Sequence, residues 1–198
     1  MVYLLLGRII YAPLFLYIFI NILPIILEYT LLLVYIPLLH LHFHIKYPNP
    51  SPLQLWNICK QKRFGNYLYR FIIGLYSPYS YSIKPIIESF NPNECVCSIT
   101  DTIFNRNPFH SIHAIALNNL GELTSGLIML EWLHKNHKKG IVTNIQCTYH
   151  KKARGKITAI CKLDSTRVLQ KTNIVKINMF DTNQTRVCSM ECTWVIKI

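Results

Sequence analysis

The spacing of apolar and polar positions divides the chain into three stretches. Residues 1–45 are apolar almost without interruption, with Arg8 as the one base and Glu28 as the one acid before Lys46. Ile9–Leu27 is long enough to cross a hydrocarbon core of ~30 Å as a helix. Tyr29–Phe43, kinked at Pro37, suits a partial span or the return arm of a hairpin. No cluster of bases precedes this run and no small-residue cleavage site follows it, so a retained membrane segment is expected over 1–45. Residues 46–81 form the second stretch. Tyr47–Pro52 holds three prolines and reads as a linker. Leu55–Leu75 then reads as an amphipathic helix whose main apolar residues are Trp56, Cys59, Tyr67, Leu68, Phe71 and Ile72.

From Ser82 the period changes. Ile83–Glu88 and Glu94–Thr100 read as short strands separated by an Asn-Pro-Asn turn. A long helix follows at Ser111–His134. Four strands close the chain, at Ile141–His150, Lys156–Leu163, Asn173–Phe180 and Arg186–Ile196. Alternation is plainest in the last, where Cys188, Met190, Cys192, Trp194 and Ile196 share one face. Two strands, one long apolar helix and four antiparallel strands predict an α+β domain over 82–198, with a sheet wrapped around a single central helix.

The central helix carries the most informative pattern. Residues three and four apart share a helical face, so Asn118, Glu122, Ser125 and Met129 form one line. Leu117, Leu120, Leu127 and Leu130 lie away from it. Ala114, Ala116, Gly121 and Gly126 are small enough for close backbone approach. A solvent-facing stripe would carry several charges, and this one holds a single acid before Glu131. The stripe therefore reads as enclosed, and an enclosed carboxylate costs several kcal/mol on an order-of-magnitude scale unless it is paired. At the front of the helix Ser111 suits the N-cap, leaving the amides of Ile112, His113 and Ala114 near the positive end of the dipole, where they can hold an oxyanion.

Composition refines this picture. The 198-residue chain is 51% hydrophobic and 15% charged, in keeping with a membrane-facing part. Its formal net charge of +12 lies beyond residue 45 and suits anionic lipid, nucleic acid or a phosphorylated ligand equally. No nucleic-acid-binding motif accompanies the charge, so no nucleic-acid partner is expected. Seven cysteines show no paired CxxC spacing. The four after residue 140 fall in strand-like runs as small apolar residues, which predicts reduced thiols and a domain facing the cytosol. His40, His42 and His44 alternate with apolar residues, but no Cys or carboxylate lies nearby to complete a ligand set, and no metal is expected. Lys46, Lys60, Lys62 and Arg63 flank the membrane segment, which also orients the rest of the chain toward the cytosol.

Three blocks carry a resemblance: SPYSYSI (Ser77–Ile83), RNPFHSIHAIALNNLGE (Arg106–Glu122) and YHKKARGKITA (Tyr149–Ala159). Asn107, then His113-Ala114, then Glu122 in the helix resembles the hotdog-fold thioesterases of the PaaI-like kind. The three blocks in order resemble an uncharacterised hotdog family of fungi and bacteria. The resemblance runs from about Leu55 to the end. It implies a hotdog fold, a homodimer, and acyl-thioester sites at the dimer interface, with acyl-CoA or another acyl thioester as partner.

In that scheme Glu122 activates water or attacks the carbonyl, Asn107 positions water or carbonyl, and the amides near His113 and Ala114 bind the oxyanion. No cofactor is required, coenzyme A entering as part of the substrate, and Lys151, Lys152 and Arg154 would grip its phosphates. Two departures bear on catalysis. Ala114 and Ile115 stand where relatives have a Gly-Gly pair. Val142, beside Thr143, stands where some carry a hydroxyl. The leading expectation is therefore an acyl-CoA thioesterase-like enzyme on a membrane anchor, and the alternative is a non-catalytic acyl-thioester or lipid-binding module.

Overall fold

The computed structural model describes residues 49–164 and 170–197. The membrane segment expected over 1–45, with its three alternating histidines, lies outside the described residues. Pro50–Ile198 make one compact unit. Its elements are α1 (Pro52–Lys60), α2 (Gly65–Tyr76), α3 (Pro78–Ser82), β1 (Ile86–Asn91), β2 (Glu94–Thr100), α4 (Ala114–Lys135), β3 (Lys139–Tyr149), β4 (Lys156–Lys162), β5 (Thr172–Phe180) and β6 (Arg186–Lys197). Among the described residues no helix is long and apolar enough to cross a membrane.

The single amphipathic helix expected over Leu55–Leu75 is two helices. α1 opens with a capping box, Ser51 and Gln54 bonding each other's backbone amides, with Pro52 at its first turn. It ends at Lys60, and the chain turns through Gln61–Phe64 before α2 begins. Gly65 makes this corner possible, because a Cβ there would lie 2.1 Å from the Cys59 carbonyl oxygen. The corner also changes which face of α2 is buried. Tyr69, Ile72 and Ile73 turn inward while Tyr67, expected inside, is exposed. Tyr69 meets Trp56 edge-on at 5.4 Å between ring centroids and donates its hydroxyl to the Pro52 carbonyl at 2.9 Å, locking α1 against α2.

All six strands join one antiparallel sheet in the order β1-β2-β4-β5-β6-β3. The bounds of β2 to β6 follow the sequence pattern within about two residues. The first strand, expected at Ile83–Glu88, lies three residues later because Ile83 closes α3, and the Asn-Pro-Asn turn forms as expected. Asn91 Oδ1 accepts from the amides of Asn93 and Glu94 at 2.9 and 3.0 Å. Cys95, Cys97 and Ile99 of β2 stand opposite Cys161, Ala159 and Ile157 of β4, all fully buried. Val175, Ile177 and Met179 of β5 stand opposite Cys192, Met190 and Cys188 of β6. All seven cysteines are free thiols. Burial pushes the Cys161 thiol up to about 12, so it stays protonated and serves as packing.

The 22-residue helix α4 packs on this face of the sheet. Its other side is covered by the preceding helices: Glu131 Oε2 accepts from the Leu53 amide at the start of α1 (3.0 Å), and Asn119 Nδ2 donates to the Tyr79 carbonyl (2.9 Å). Covered on two sides, α4 is apolar around most of its circumference.

Gly65→Ala forces a methyl group into a backbone carbonyl that cannot swing away. The variant is expected to lose about 1–3 kcal/mol, seen as a lower urea midpoint with an unchanged slope in equilibrium unfolding.

Candidate active site

The front of α4 is built by a loop that bonds both to itself and to the β3–β4 connection. Asn107 Oδ1 accepts from the amide of Phe109 (3.0 Å) and from the amide and hydroxyl of Ser111 (both 3.2 Å). Arg106 and Ile112 form a short antiparallel bridge. The next amides are held outward: Ile112 donates to the Ala153 carbonyl and His113 to the Asn105 carbonyl, each at 2.8 Å. Ser111 is therefore committed to the loop, and the helix starts two residues later than a Ser111 cap would place it. His113 is the N-cap, with extended backbone and a ring Nδ1 that accepts from the Ile115 amide at 3.1 Å. These long-range bonds overrode the local preference for a serine cap.

This arrangement decides which backbone donors are free. Of the three amides expected to face an oxyanion, those of Ile112 and His113 are spent on Ala153 and Asn105. The amide of Ala114 has no acceptor among the described residues, while that of Ile115 is taken by the His113 ring. One donor at the positive end of a long helix remains.

The basic residues lie against the same loop. Arg154 Nε donates to the His110 carbonyl at 3.1 Å, and the Lys152 ammonium stands 5.8 Å over the Phe109 ring. Lys151 turns to Asp181 at 3.3 Å. Two of the sequence blocks that carry the resemblance are thus adjacent in space, and two of the three cations expected to grip phosphates, Lys152 and Arg154, sit beside the helix front.

Glu122 lies further along α4 and is half-buried. Its carboxylate has no hydrogen bond or ion pair among the described residues, and burial pushes its pKa above the usual glutamate value. One turn on, Gly126 is buried, yet a Cβ added there would meet only Glu122 Oε1, at 3.9 Å. There is open space beside the carboxylate.

The rest of the polar stripe faces the last two strands of the sheet. Tyr149, at the end of β3, donates its hydroxyl to Asn118 Oδ1 at 2.5 Å and reaches the Ala114 carbonyl at 3.4 Å. Desolvation pushes its pKa up to about 12, which keeps it a donor. Ser125 donates to the Glu122 carbonyl at 3.0 Å and lies 3.5 Å from Cys192 Sγ on β6. Met129, the fourth member of the line, is fully buried. Sequence reasoning gave no role to Tyr149; its position at the last residue of β3, on the face turned toward the helix, was the available signal.

Two groups of expected site residues emerge. Asn107, His113 and Ala114 cluster at the helix front, and Glu122 stands eight residues on, about 12 Å along the axis at the usual helical rise. Within one chain these two groups cannot grip one carbonyl. Val142 faces the same side as Trp194, its register partner, and a bulge follows. Thr143 is the extra residue of that bulge and donates to the Thr193 carbonyl at 3.3 Å.

Solved structures place this geometry among known folds. A protein of unknown function from Pseudomonas aeruginosa, called a probable thioesterase, aligns with a TM-score of 0.59 at 18% identity, over 66% of this chain and 94% of that one. A thioesterase enzyme from Staphylococcus aureus aligns with a TM-score of 0.53 at 19% identity, over 59% and 95%. At these identities the likeness establishes the shared fold, the hotdog arrangement of an antiparallel sheet around one long helix. No curated protein matched the sequence. Residues 65–196 match the family described as Domain of unknown function (DUF4442), and the chain belongs to that family.

Proposed function

We propose that the domain is a thioester hydrolase acting on acyl-CoA, with Glu122 as the base that activates water. The observation that carries this reading is an unpaired, half-buried carboxylate beside open space in an otherwise close-packed helix face. Burial raises its basicity, which suits a general base working near neutral pH. A thioester needs little help for its leaving group, so a base and an oxyanion donor are chemically sufficient. The Ala114 amide is the donor, with Asn107 beside it. Lys152 and Arg154, with Lys151 nearby, bind coenzyme A phosphates.

The separation of Ala114 from Glu122 favours a site shared between two copies. Among the described residues β3 is the last strand of the sheet, and Ile145 and Tyr149 on it are 40% and 46% exposed. Ile115 and Leu130 of α4 are likewise half exposed. A homodimer that covers these residues would set the helix front of one copy against Glu122 of the other. The N-terminal segment would hold the dimer at a membrane with the domain on the cytosolic side. A second reading, an acyl-thioester-binding module without turnover, is favoured by the single free amide, since His113 occupies the neighbouring donor.

Glu122→Gln is expected to lower hydrolysis of an acyl-CoA panel by roughly 10²–10⁴-fold while the protein stays folded; equal rates would remove Glu122 from the chemistry. In wild type the rate should fall as pH drops through the raised Glu122 pKa, so the acidic limb lies above the ordinary carboxylate range. Stability follows the opposite sign. The native state holds the Glu122 proton more tightly than the unfolded chain, so wild type loses stability as pH rises from the ordinary glutamate pKa to the raised one. Denaturation at neutral pH should therefore find Glu122→Gln more stable than wild type, the gap closing in acid.

Gly126→Leu fills the space beside Glu122. It is expected to raise KM for long-chain acyl-CoA more than for acetyl-CoA, measured by thiol release across chain lengths.

A further inference from the structure

The outward side of α2 is not built like a side that meets water. Of the twelve residues of this helix only Arg70 is charged. Gly65, Tyr69, Ile72 and Ile73 fill the side turned to the domain. Tyr67, Arg70 and Gly74, three and four positions apart, run along the other. A solvent-facing helix side normally carries several charged residues. Here Tyr67 is 59% exposed, and Phe64, just before the helix, is 63% exposed.

A cation accompanies each of these rings. The Arg63 guanidinium stands 5.5 Å over the Phe64 ring, and that of Arg70 stands 4.9 Å over Tyr67. The surface continues onto α3, because a Cβ at Gly74 would lie 3.0 Å from the ring of the half-exposed Tyr81. Lys84, whose amide donates to the Tyr81 carbonyl, places its ammonium 5.2 Å over Phe104, which is 84% exposed. Rings and cations thus alternate from the α1–α2 corner to the loop after β2. No acid interrupts them. Between Ser51 and Ile87 the chain holds Lys60, Lys62, Arg63, Arg70 and Lys84 but no Asp or Glu. None of these cations forms an ion pair among the described residues.

We propose that this face of the domain, the outer side of α2 with the α1–α2 corner and Tyr81, docks on the surface of an anionic lipid bilayer. Unpaired cations among exposed aromatic rings complement such a surface in both charge and polarity. The rings suit the boundary between headgroups and acyl chains, and the long basic side chains reach the phosphates. A single nucleic-acid strand also offers phosphates, but its readers set their rings in a groove that tracks the backbone, whereas these lie on the outer side of a helix. The membrane segment expected over 1–45 ends just before α1 opens, so the bilayer would be supplied at high effective concentration. The proposal stands apart from the thioester reading, since it concerns where the domain rests and not what it hydrolyses.

The test places the full chain in nanodiscs of phosphatidylcholine, with or without phosphatidylserine, whose brominated acyl chains quench nearby tryptophan. Tyr67→Trp puts a reporter on the face, and Ile174→Trp puts one at an exposed position of β5 on the sheet. The wild-type signal is subtracted from each. In discs with phosphatidylserine, Tyr67→Trp is expected to be quenched and blue-shifted while Ile174→Trp is not. Adding Arg63→Gln and Arg70→Gln to Tyr67→Trp should lower the docked-to-free ratio roughly fivefold for each cation removed. High salt should weaken docking in the same direction. Salt changes no residue, so it decides the matter even where circular dichroism shows the charge variant unfolded. Equal quenching at positions 67 and 174 overturns the proposal, as does quenching at 67 that ignores both phosphatidylserine and salt. A blue shift in lipid-free detergent that grows with protein concentration would give the face to a second copy, and one produced by single-stranded RNA would give it to nucleic acid; either overturns docking on lipid. No acyl-CoA is present, so failure here leaves the thioester reading as it stands.

Discussion

Everything distinctive about this domain depends on how closely α4 is pressed between the sheet and the preceding helices. A Cβ at Gly121 would lie 2.2 Å from Met190 Sδ and 2.6 Å from Met179 Cε, so the helix backbone rests directly on the centre of the sheet. On the opposite side α1 and α3 are tied to it through Glu131 and Asn119. Most buried polar groups in interiors of this density are hydrogen-bonded, Asn119 Oδ1 and Trp194 Nε1 being exceptions here. Glu131 is satisfied by a backbone amide. Glu122 is not, and the open volume at Gly126 lies beside it. Close packing against the sheet leaves this charged position as a loosely packed one on the helix.

The polar neighbours of Glu122 are arranged by the same constraint. Because the helix lies close to the sheet, a tyrosine at the end of β3 reaches Asn118, and a serine on α4 reaches the Cys192 sulfur. The cysteines divide accordingly. Those facing the centre of the sheet are fully buried, whereas Cys147, on the edge strand β3, is half-exposed. Position relative to that edge, more than residue type, sets how far each cysteine is buried.

Much of the architecture was legible from residue order. Strands with regular alternation, β2 and β6 above all, fall within a residue or so of their expected limits, since a period of two tied to a buried face leaves few registers. Errors arose where local preference met long-range bonding. One expected amphipathic helix became two because Gly65 allows the chain to turn over the Cys59 carbonyl, which periodicity does not register. Ser111 lost the cap to His113 because Asn105 and Ala153 accept the neighbouring amides across the loop. Asn107, singled out for chemistry, spends its carbonyl oxygen holding that loop together.

By itself the sequence determined which residues are small, apolar or charged along α4, and hence that a lone carboxylate would ride on a buried helix. It also determined the alternation that makes six strands a single sheet. Tertiary structure decided which donors remain free, which cysteine meets water, and that the helix front and Glu122 stand about 12 Å apart in one chain. Those outcomes depend on hydrogen bonds between residues 8 to 44 positions apart, such as His113 with Asn105, Ile112 with Ala153, Tyr149 with Asn118 and Arg154 with His110. Such pairings are chosen by the packing of whole elements, and no window of local sequence contains them.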